Sequence, residues 1–300
     1  GGRFVLYWMQ ASQRESCNHA LETAALLANK SGLPLLALFC LTDNYPGANL
    51  RHYTFMAEGL LETKRRLAKR GIRLEILRGS PSDIVPQIAK DASTLVTDAG
   101  HTRIQRKWRA AVAASCGCAM IEVETNLVVP VDTASMKEEY AARTIRPKLH
   151  RLIPEFLRSP IRQRLKKDSL DLKLGGSKCE SVADILSGLK VDRSVHASQF
   201  FKGGEAEAGR LLNEFAERKL IHYDELRNDP CEDATSSLGP YLHFGQVSPV
   251  EIALAASAKN AEKAEPFLEE LIVRRELAFN FVRRNHNYDN FKCLDRKSVV

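Results

Sequence analysis

The chain has 300 residues, of which 44% are hydrophobic and 27% are charged, values that suit two globular domains and exclude wholesale disorder. Its formal net charge is +7, from 44 basic and 37 acidic residues. The seven cysteines form no C-x-x-C pair and no zinc-ligand spacing, so we expect reduced thiols, no disulfide scaffold and no metal site.

Residues 3–124 alternate short apolar runs with amphipathic segments. The runs are continuous, which is typical of strands buried on both faces of a parallel sheet, and cover residues 4–9, 35–41, 74–77, 94–97 and 119–123. Helices are predicted between them, most closed by a glycine, over residues 16–30, 53–70, 81–90 and 105–115. This alternation predicts a doubly wound parallel α/β domain over residues 1–125.

A doubly wound domain usually binds its ligand at the carboxyl ends of its strands, where the strand order reverses. In this chain that region would include the loop of residues 10–16. The sequence contains neither G-x-G-x-x-G nor a P-loop, so no phosphate-binding fingerprint assigns the ligand.

Residues 126–196 are predicted to form a connector with short helices, rich in basic residues. The window 143–167 holds nine basic residues and one acidic residue, so it carries a charge of +8. Such a strip is typical of a polyanion binder, although a solvated linker would explain it equally well. Apolar residues at helical spacing then predict an all-helical domain over residues 197–300.

No apolar run is long enough for a membrane span, and the first apolar stretch is too short for a signal peptide. We therefore expect a soluble intracellular protein without a membrane partner. It would be cytoplasmic in a prokaryote and nuclear in a eukaryote.

Four segments of the second half contain most of the residues that indicate a function. They are residues 201–206 (FKGGEA), 223–230 (YDELRNDP), 234–245 (ATSSLGPYLHFG) and 267–277 (FLEELIVRREL). The hydroxyls of Thr235, Ser236 and Ser237 near a helix start suit the diphosphate of a dinucleotide. An ordinary helix N-cap is the alternative for the same three residues.

Three segments of the first half complete the pattern: residues 7–14 (YWMQASQR), 103–109 (RIQRKWR) and 139–148 (EYAARTIRPK). In order and spacing, all these segments resemble the photolyase/cryptochrome family, most closely the class II cyclobutane pyrimidine dimer photolyases. The resemblance runs from about residue 3 to residue 294.

The resemblance implies an N-terminal antenna domain followed by a helical domain that holds FAD. It assigns FAD binding to Tyr223, Thr235, Ser236, Ser237, Leu238 and Gly239. It implies that Arg227, Glu270 and Arg274 face damaged DNA, with Glu270 as the catalytic residue. The implied reaction is light-driven repair of pyrimidine dimers by electron transfer from reduced FAD, with the dimer flipped out of the duplex.

Several alternatives stay open at this stage. Without the resemblance, Glu270 and Arg274 would be interpreted as a surface ion pair four residues apart. A cryptochrome-like flavin photosensor is the alternative function, and a nucleotide-binding α/β module joined to a DNA-binding helical domain is a third. No signature assigns an antenna chromophore, so a deazaflavin, a folate or no chromophore at all would fit.

A complete class II photolyase is roughly half as long again, so we expect a C-terminally truncated, inactive fragment and an incomplete FAD domain. Trp8 and Trp108 both lie in the first half, which leaves the helical half without a tryptophan relay to its flavin. We expect a monomer.

Overall fold

The computed structural model describes residues 2–43, 45–172, 174 and 179–294. The first half forms a five-stranded parallel sheet with strand order β3-β2-β1-β4-β5. The strands are β1 (Phe4–Met9), β2 (Leu35–Leu41), β3 (Arg73–Arg78), β4 (Ala92–Asp98) and β5 (Ala119–Val123). The strand order reverses at β1, so the α/β prediction is confirmed and a crevice opens beside this strand.

Helices α1 (His19–Ser31), α2 (Leu50–Ala68), α3 (Pro81–Ala89) and α4 (Arg103–Ser115) connect the strands. The predicted start of α1 at residue 16 was three residues early. The Asn18 side chain accepts from the N–H of Leu21, and Cys17 has a φ of 44°, which a right-handed helix does not admit. The helix ends at Gly32, whose φ of 63° suits a left-handed cap.

Strand β5 differs from the prediction. The inner strands β1 and β2 are buried along their whole length, but every residue of β5 is exposed or half-buried. The cause is its position, since β5 lies at the sheet edge and pairs only with β4.

The rest of the described chain is helical. It comprises α5 (Val131–Ala134), α6 (Ala142–Phe156), α7 (Val182–Leu186), α8 (Glu205–Glu214), α9 (Tyr223–Leu226), α10 (Gly239–His243), α11 (Pro249–Lys259), α12 (Ala261–Leu268) and α13 (Arg275–Arg284). Two π-helical segments, Phe215–Lys219 and Glu269–Arg274, continue α8 and join α12 to α13. None of the helices in the described ranges is long and apolar enough to cross a membrane.

The predicted connector packs against both halves of the protein. Helix α6 has 15 residues, longer than the short helices predicted, and buries Ile145 and Leu149 in the core of the helical half. Further along, Ile185 of α7 and Leu189 join the core between the sheet and α2. The proposed domain boundaries at residues 125 and 196 remain predictions.

Candidate functional site

Tyr223, at the start of α9, lies at the centre of an aromatic cluster in the helical half. It is buried and makes edge-to-face contacts with Phe215 and Phe267, at centroid distances of 5.7 and 5.3 Å. The Arg227 guanidinium lies 5.5 Å from the centroid of its ring. Burial, followed by the charge of Glu270, raises the pKa of Tyr223. The structure therefore brings Tyr223, Arg227 and Glu270 together on one side of the helical half.

Glu270 and Arg274 lie within the second π-helical segment. The interpretation of these two residues as an ion pair is wrong. Arg274 lies 3.6 Å from Glu269, whose carboxylate also accepts from Arg146 at 2.7 Å. A π-helical turn pairs residue i with i+5, so side chains four apart no longer lie above one another. Glu270 is exposed and forms no hydrogen bond or ion pair within the described ranges.

Residues 235–239 form a turn that leads into α10. Thr235 is exposed, and Leu238 is buried in the same hydrophobic cluster as Tyr223. Ser237 has a φ of 56°, a left-handed conformation that non-glycine residues seldom adopt. The Ser236 hydroxyl accepts from the Leu238 N–H at 3.4 Å, whereas the Thr235 and Ser237 hydroxyls bond to no group of the described chain. Gly239 begins the helix.

The basic strip of residues 143–167 divides into two sets. Arg146, Lys148 and Arg162 form ion pairs with Glu269, Glu139 and Glu15, so a carboxylate of the protein compensates each of their charges. The second set is exposed and forms no ion pair within the described ranges; it comprises Arg143, Arg151, Arg158, Arg164, Lys166 and Lys167. Only this second set is free to meet an external polyanion.

A cavity of about 500 Å³ lies at the carboxyl ends of β1, β2 and β4. Its floor comes from the loop after β1, and its opposite wall comes from residues 242–244 and 275–282 of the helical half. Aromatic side chains line the cavity: Trp8, Phe39, Tyr45, Tyr53 and Trp108. None of the site residues predicted from motifs lines it. The strand-end rule pointed to residues 10–16, but it could not indicate the residues that close the cavity from the second half.

The loop after β1 is held in place by the buried carboxylate of Asp98. Its oxygens accept from the backbone N–H groups of Gln10 at 2.8 Å and Ala11 at 2.6 Å, and from that of Ser12. Burial raises the pKa of Asp98, while these hydrogen bonds oppose the rise. The loop is therefore fixed at the point where the strand order reverses.

Three buried polar atoms of the cavity wall have no hydrogen-bond partner among the described residues. They are Gln10 Nε2, Gln13 Oε1 and His101 Nδ1. The other ring nitrogen of His101 is engaged, at 2.7 Å from Glu124 Oε2. Buried polar groups are normally satisfied, so three unsatisfied atoms on residues that line one cavity set this wall apart from the rest of the core.

Comparison with known proteins identifies the family that has this architecture. The family described as DNA photolyase matches residues 5–166. The chain belongs to the DNA photolyase family. It is 44% identical over 294 residues to a deoxyribodipyrimidine photo-lyase from Methanothermobacter thermautotrophicus, covering 98% of this chain and 64% of the relative. A second relative, the deoxyribodipyrimidine photo-lyase of Potorous tridactylus, is 35% identical, and the chain covers 55% of its length. The chain therefore spans less than two thirds of the length of these two relatives.

Solved photolyase-family structures share the fold. A Synechocystis cryptochrome superposes with a TM-score of 0.75 at 20% identity, over 95% of this chain and 62% of that one. An archaeal photolyase from Sulfolobus tokodaii, described with two FAD molecules and a light-harvesting cofactor, gives 0.70 at 18% identity, over 94% and 60%. The predicted photolyase/cryptochrome family and fold class are thus confirmed, and the assignment to class II remains a prediction.

Proposed function

We propose that this chain serves light-driven repair of cyclobutane pyrimidine dimers in DNA, as a member of class II. The observation that carries the proposal is the grouping of Tyr223, Arg227 and Glu270 on one side of the helical half. An exposed, unpaired carboxylate beside a buried aromatic ring and a half-buried guanidinium, which pairs with Asp224 at 2.6 Å, supports recognition of a polar, flipped-out pyrimidine dimer. The 44% identity to a deoxyribodipyrimidine photo-lyase supports the same reaction.

The residues of the helical half suit FAD. The unengaged hydroxyls of Thr235 and Ser237, the left-handed backbone of Ser237 and the start of α10 at Gly239 present donors for a diphosphate. Leu238 and Tyr223 supply apolar surface beside them. When bound, FAD would supply the light-excited electron, and the protein's part is to hold the cofactor and the lesion close together.

Damaged DNA would bind to exposed cations through its phosphates and to one carboxylate, that of Glu270, through the lesion. The exposed cations of the basic strip and Arg227 would hold backbone phosphates. Flipping a pyrimidine dimer costs little because its stacking and pairing are already disturbed. Glu270 would then hydrogen-bond the pyrimidine edge and favour charge that develops there.

The cavity at the strand ends is the proposed site of an antenna chromophore. Its aromatic wall suits a planar heteroaromatic ring, and Gln10, Gln13 and His101 add polar side chains to its lining. Deazaflavins and folates both have this chemistry.

The decisive experiment is light-dependent repair of a dimer-containing oligonucleotide. It would compare the 300-residue chain, incubated with FAD, with a version extended by the corresponding C-terminal portion of the Methanothermobacter relative. In whichever protein repairs, we expect Glu270→Gln to lower the repair rate by about tenfold or more while flavin binding is unchanged.

Glu265→Gln is the matched control, because Glu265 is exposed on α12 and its side chain forms no hydrogen bond or ion pair in the described part of the chain. Repair by Glu270→Gln at the control's rate would refute the role of Glu270. Flavin binding without repair in every version would refute the proposed reaction and favour the alternative of a flavin photosensor.

A further inference from the structure

Two cysteines, Cys116 and Cys118, lie side by side at the amino end of β5. Cys116 caps the end of α4, where its N–H donates to the Val112 oxygen at 2.8 Å, and Cys118 directly precedes the strand. The backbone of Cys116 is extended, so side chains two residues apart project to the same side. The two Sγ atoms are 3.3 Å apart, a contact in which one thiol hydrogen-bonds the other.

Both sulfurs are accessible from solvent. Each cysteine is half-buried and packs on one side against the hydrophobic cluster under the sheet. Gly117 between them is exposed, and a Cβ there would meet nothing within 4 Å. Cys118 also lines an open crevice of about 430 Å³ together with Arg3 and Lys90. A small molecule can therefore reach the pair.

This pair differs from the other cysteines of the chain. Cys40 and Cys179 are buried, whereas Cys231 is exposed. No other two cysteines among the residues that the structure describes lie within hydrogen-bonding distance. Cys116 and Cys118 alone thus already have their sulfurs at a distance from which a disulfide can close.

The two thiols differ in acidity. Burial, followed by the hydrogen bond and the charge of Cys116, raises the pKa of Cys118 to about 11. Cys118 therefore keeps its proton at neutral pH, and Cys116 is the sulfur that attacks first. Once Cys116 is bonded to another sulfur, it no longer carries a charge, and this contribution to the pKa of Cys118 is lost. Cys118 can then attack in its turn.

We propose that Cys116 and Cys118 form a redox-active dithiol that is reversibly oxidised by low-molecular-weight disulfides such as glutathione disulfide. The Cys116 thiolate attacks one sulfur of glutathione disulfide, which breaks that S–S bond, forms a mixed disulfide and releases one glutathione. Cys118 then attacks the Cys116 sulfur, which forms the internal disulfide and releases the second glutathione. Two electrons pass from the cysteines to glutathione disulfide, and the two thiol protons end on the two released glutathione molecules.

The position of the pair favours a reversible bond over a structural one. A single residue separates the two cysteines, so their disulfide would close too short a loop to contribute much to stability by restricting the unfolded chain. Exposed disulfides are also the ones most readily reduced. The pair lies at the amino end of β5, away from the cavity at the carboxyl ends of the strands, so its oxidation can be measured separately from DNA repair.

The test is mass spectrometry of the 300-residue chain equilibrated under nitrogen in glutathione buffers of increasing oxidised fraction. Free thiols are then trapped with N-ethylmaleimide in denaturant. Trypsin should release residues 110–137 as one peptide, which contains Cys116 and Cys118 and no other cysteine. We expect both alkylation sites of this peptide to disappear together, with the internal disulfide about tenfold or more abundant than the mixed disulfide, because the second thiol is already in contact. Dithiothreitol should restore both sites.

Single substitutions test the order of attack. Cys118→Ser should stop the reaction at a mixed disulfide on Cys116. Cys116→Ser should leave Cys118 at least severalfold slower to react, because burial keeps its thiol protonated. Circular dichroism of both variants checks that they are folded. Cys231 is the internal control, since this exposed cysteine has no neighbouring thiol in the described chain and should give a mixed disulfide only.

An internal disulfide that forms and is reduced again would support the proposal. A peptide 110–137 that keeps both free thiols, or carries only mixed disulfides, in buffers that modify Cys231 would overturn it. Rapid modification of Cys118 in Cys116→Ser, at the rate of Cys116 in Cys118→Ser, would overturn the order of attack.

Discussion

Arg14 is a fully buried cation that joins three parts of the chain. Its guanidinium donates to the backbone oxygens of Thr125 at 2.7 Å, Gly245 at 3.0 Å and Cys17 at 3.2 Å, and to Asn126 Oδ1 at 3.1 Å. It has no ion pair with any described carboxylate, so these four oxygens provide its solvation. The sequence placed Arg14 in a family segment without indicating this role.

Arg14→Met should destabilise the protein by about 3 kcal/mol or more, because four buried acceptors would lose their donor. Urea denaturation followed by circular dichroism measures the change. Arg3→Met is the comparison, since Arg3 is exposed and its ion pair with Asp91 is worth at most about 1 kcal/mol. Similar losses in the two variants would contradict this account of Arg14.

Glu276 is a second buried ionisable residue, and its pKa is strongly shifted. Its Oε1 accepts from the N–H groups of Val128 at 2.8 Å and Val129 at 3.0 Å, whereas Oε2 is buried without a partner. Burial raises its pKa from 4.5 to about 8. The native protein therefore retains a proton that the unfolded chain releases above about pH 4.5, and the free energy of unfolding falls as pH rises from about 4.5 to 8.

Glu276→Gln should remove this fall, because a neutral amide does not titrate. Relative to the parent, the variant should gain about 3.5 kcal/mol between pH 5 and pH 8. Urea denaturation at both pH values measures the difference. Glu265→Gln, which changes an exposed carboxylate, should follow the parent, and a Glu276→Gln profile parallel to the parent would contradict the raised pKa.

At the scale of elements, the two halves approach each other closely where α10 ends against the loop after β1. Gly245 has a φ of 66°, and a Cβ there would lie 2.0 Å from the Ala11 oxygen and 2.8 Å from Ser12 Cα. These are backbone atoms that the Asp98 carboxylate holds in place. The absence of a side chain at Gly245 thus permits the contact that closes the strand-end cavity.

Gly245→Ala should destabilise the protein by about 2 kcal/mol or more, through backbone strain and the clash with this loop. Gly209→Ala is the matched control. Gly209 lies inside α8, and a Cβ there would meet nothing within 4 Å, so alanine should stabilise the protein by about 0.5–1 kcal/mol. Thermal unfolding of the two variants should shift in opposite directions, and a shared direction would be inconsistent with the close approach.

The helices show which structural features a local sequence pattern predicts and which it does not. Spacing correctly predicted helices around residues 208–216 and 267–272. It did not predict that both continue as π-helical segments, which places Glu269 rather than Glu270 against Arg274 and Arg146. The second π-helical segment packs against α6 and α11, which lie far from it in the sequence, so a local pattern does not contain these contacts.

At the scale of the whole molecule, the net charge of +7 is carried by the basic strip, but only its unpaired members can meet DNA. Arg151 is an exposed member of α6 without an ion pair in the described ranges. Arg151→Gln should weaken binding to undamaged duplex DNA and reduce the slope of log K against log salt by about 0.9. Fluorescence anisotropy across a salt series measures it.

Arg65→Gln removes the same charge from an exposed position on α2 outside the strip, and it should leave the slope unchanged. Equal slopes for Arg151→Gln and the parent protein would show that the strip does not contact phosphates. The net charge of both variants is the same, so a general charge effect would change both slopes equally.

The sequence by itself determined the five strands, their connecting helices and the family, because apolar runs, caps and motif spacing are local properties of neighbouring residues. Only the tertiary structure decided which charges of the strip are paired, that β5 lies exposed at the sheet edge, and that His52, His243 and Arg275 meet at one cavity. Those three side chains are separated by up to 223 positions in the numbering, from 52 to 275. Their proximity depends on strand order and on the packing of two halves, and no local periodicity encodes either.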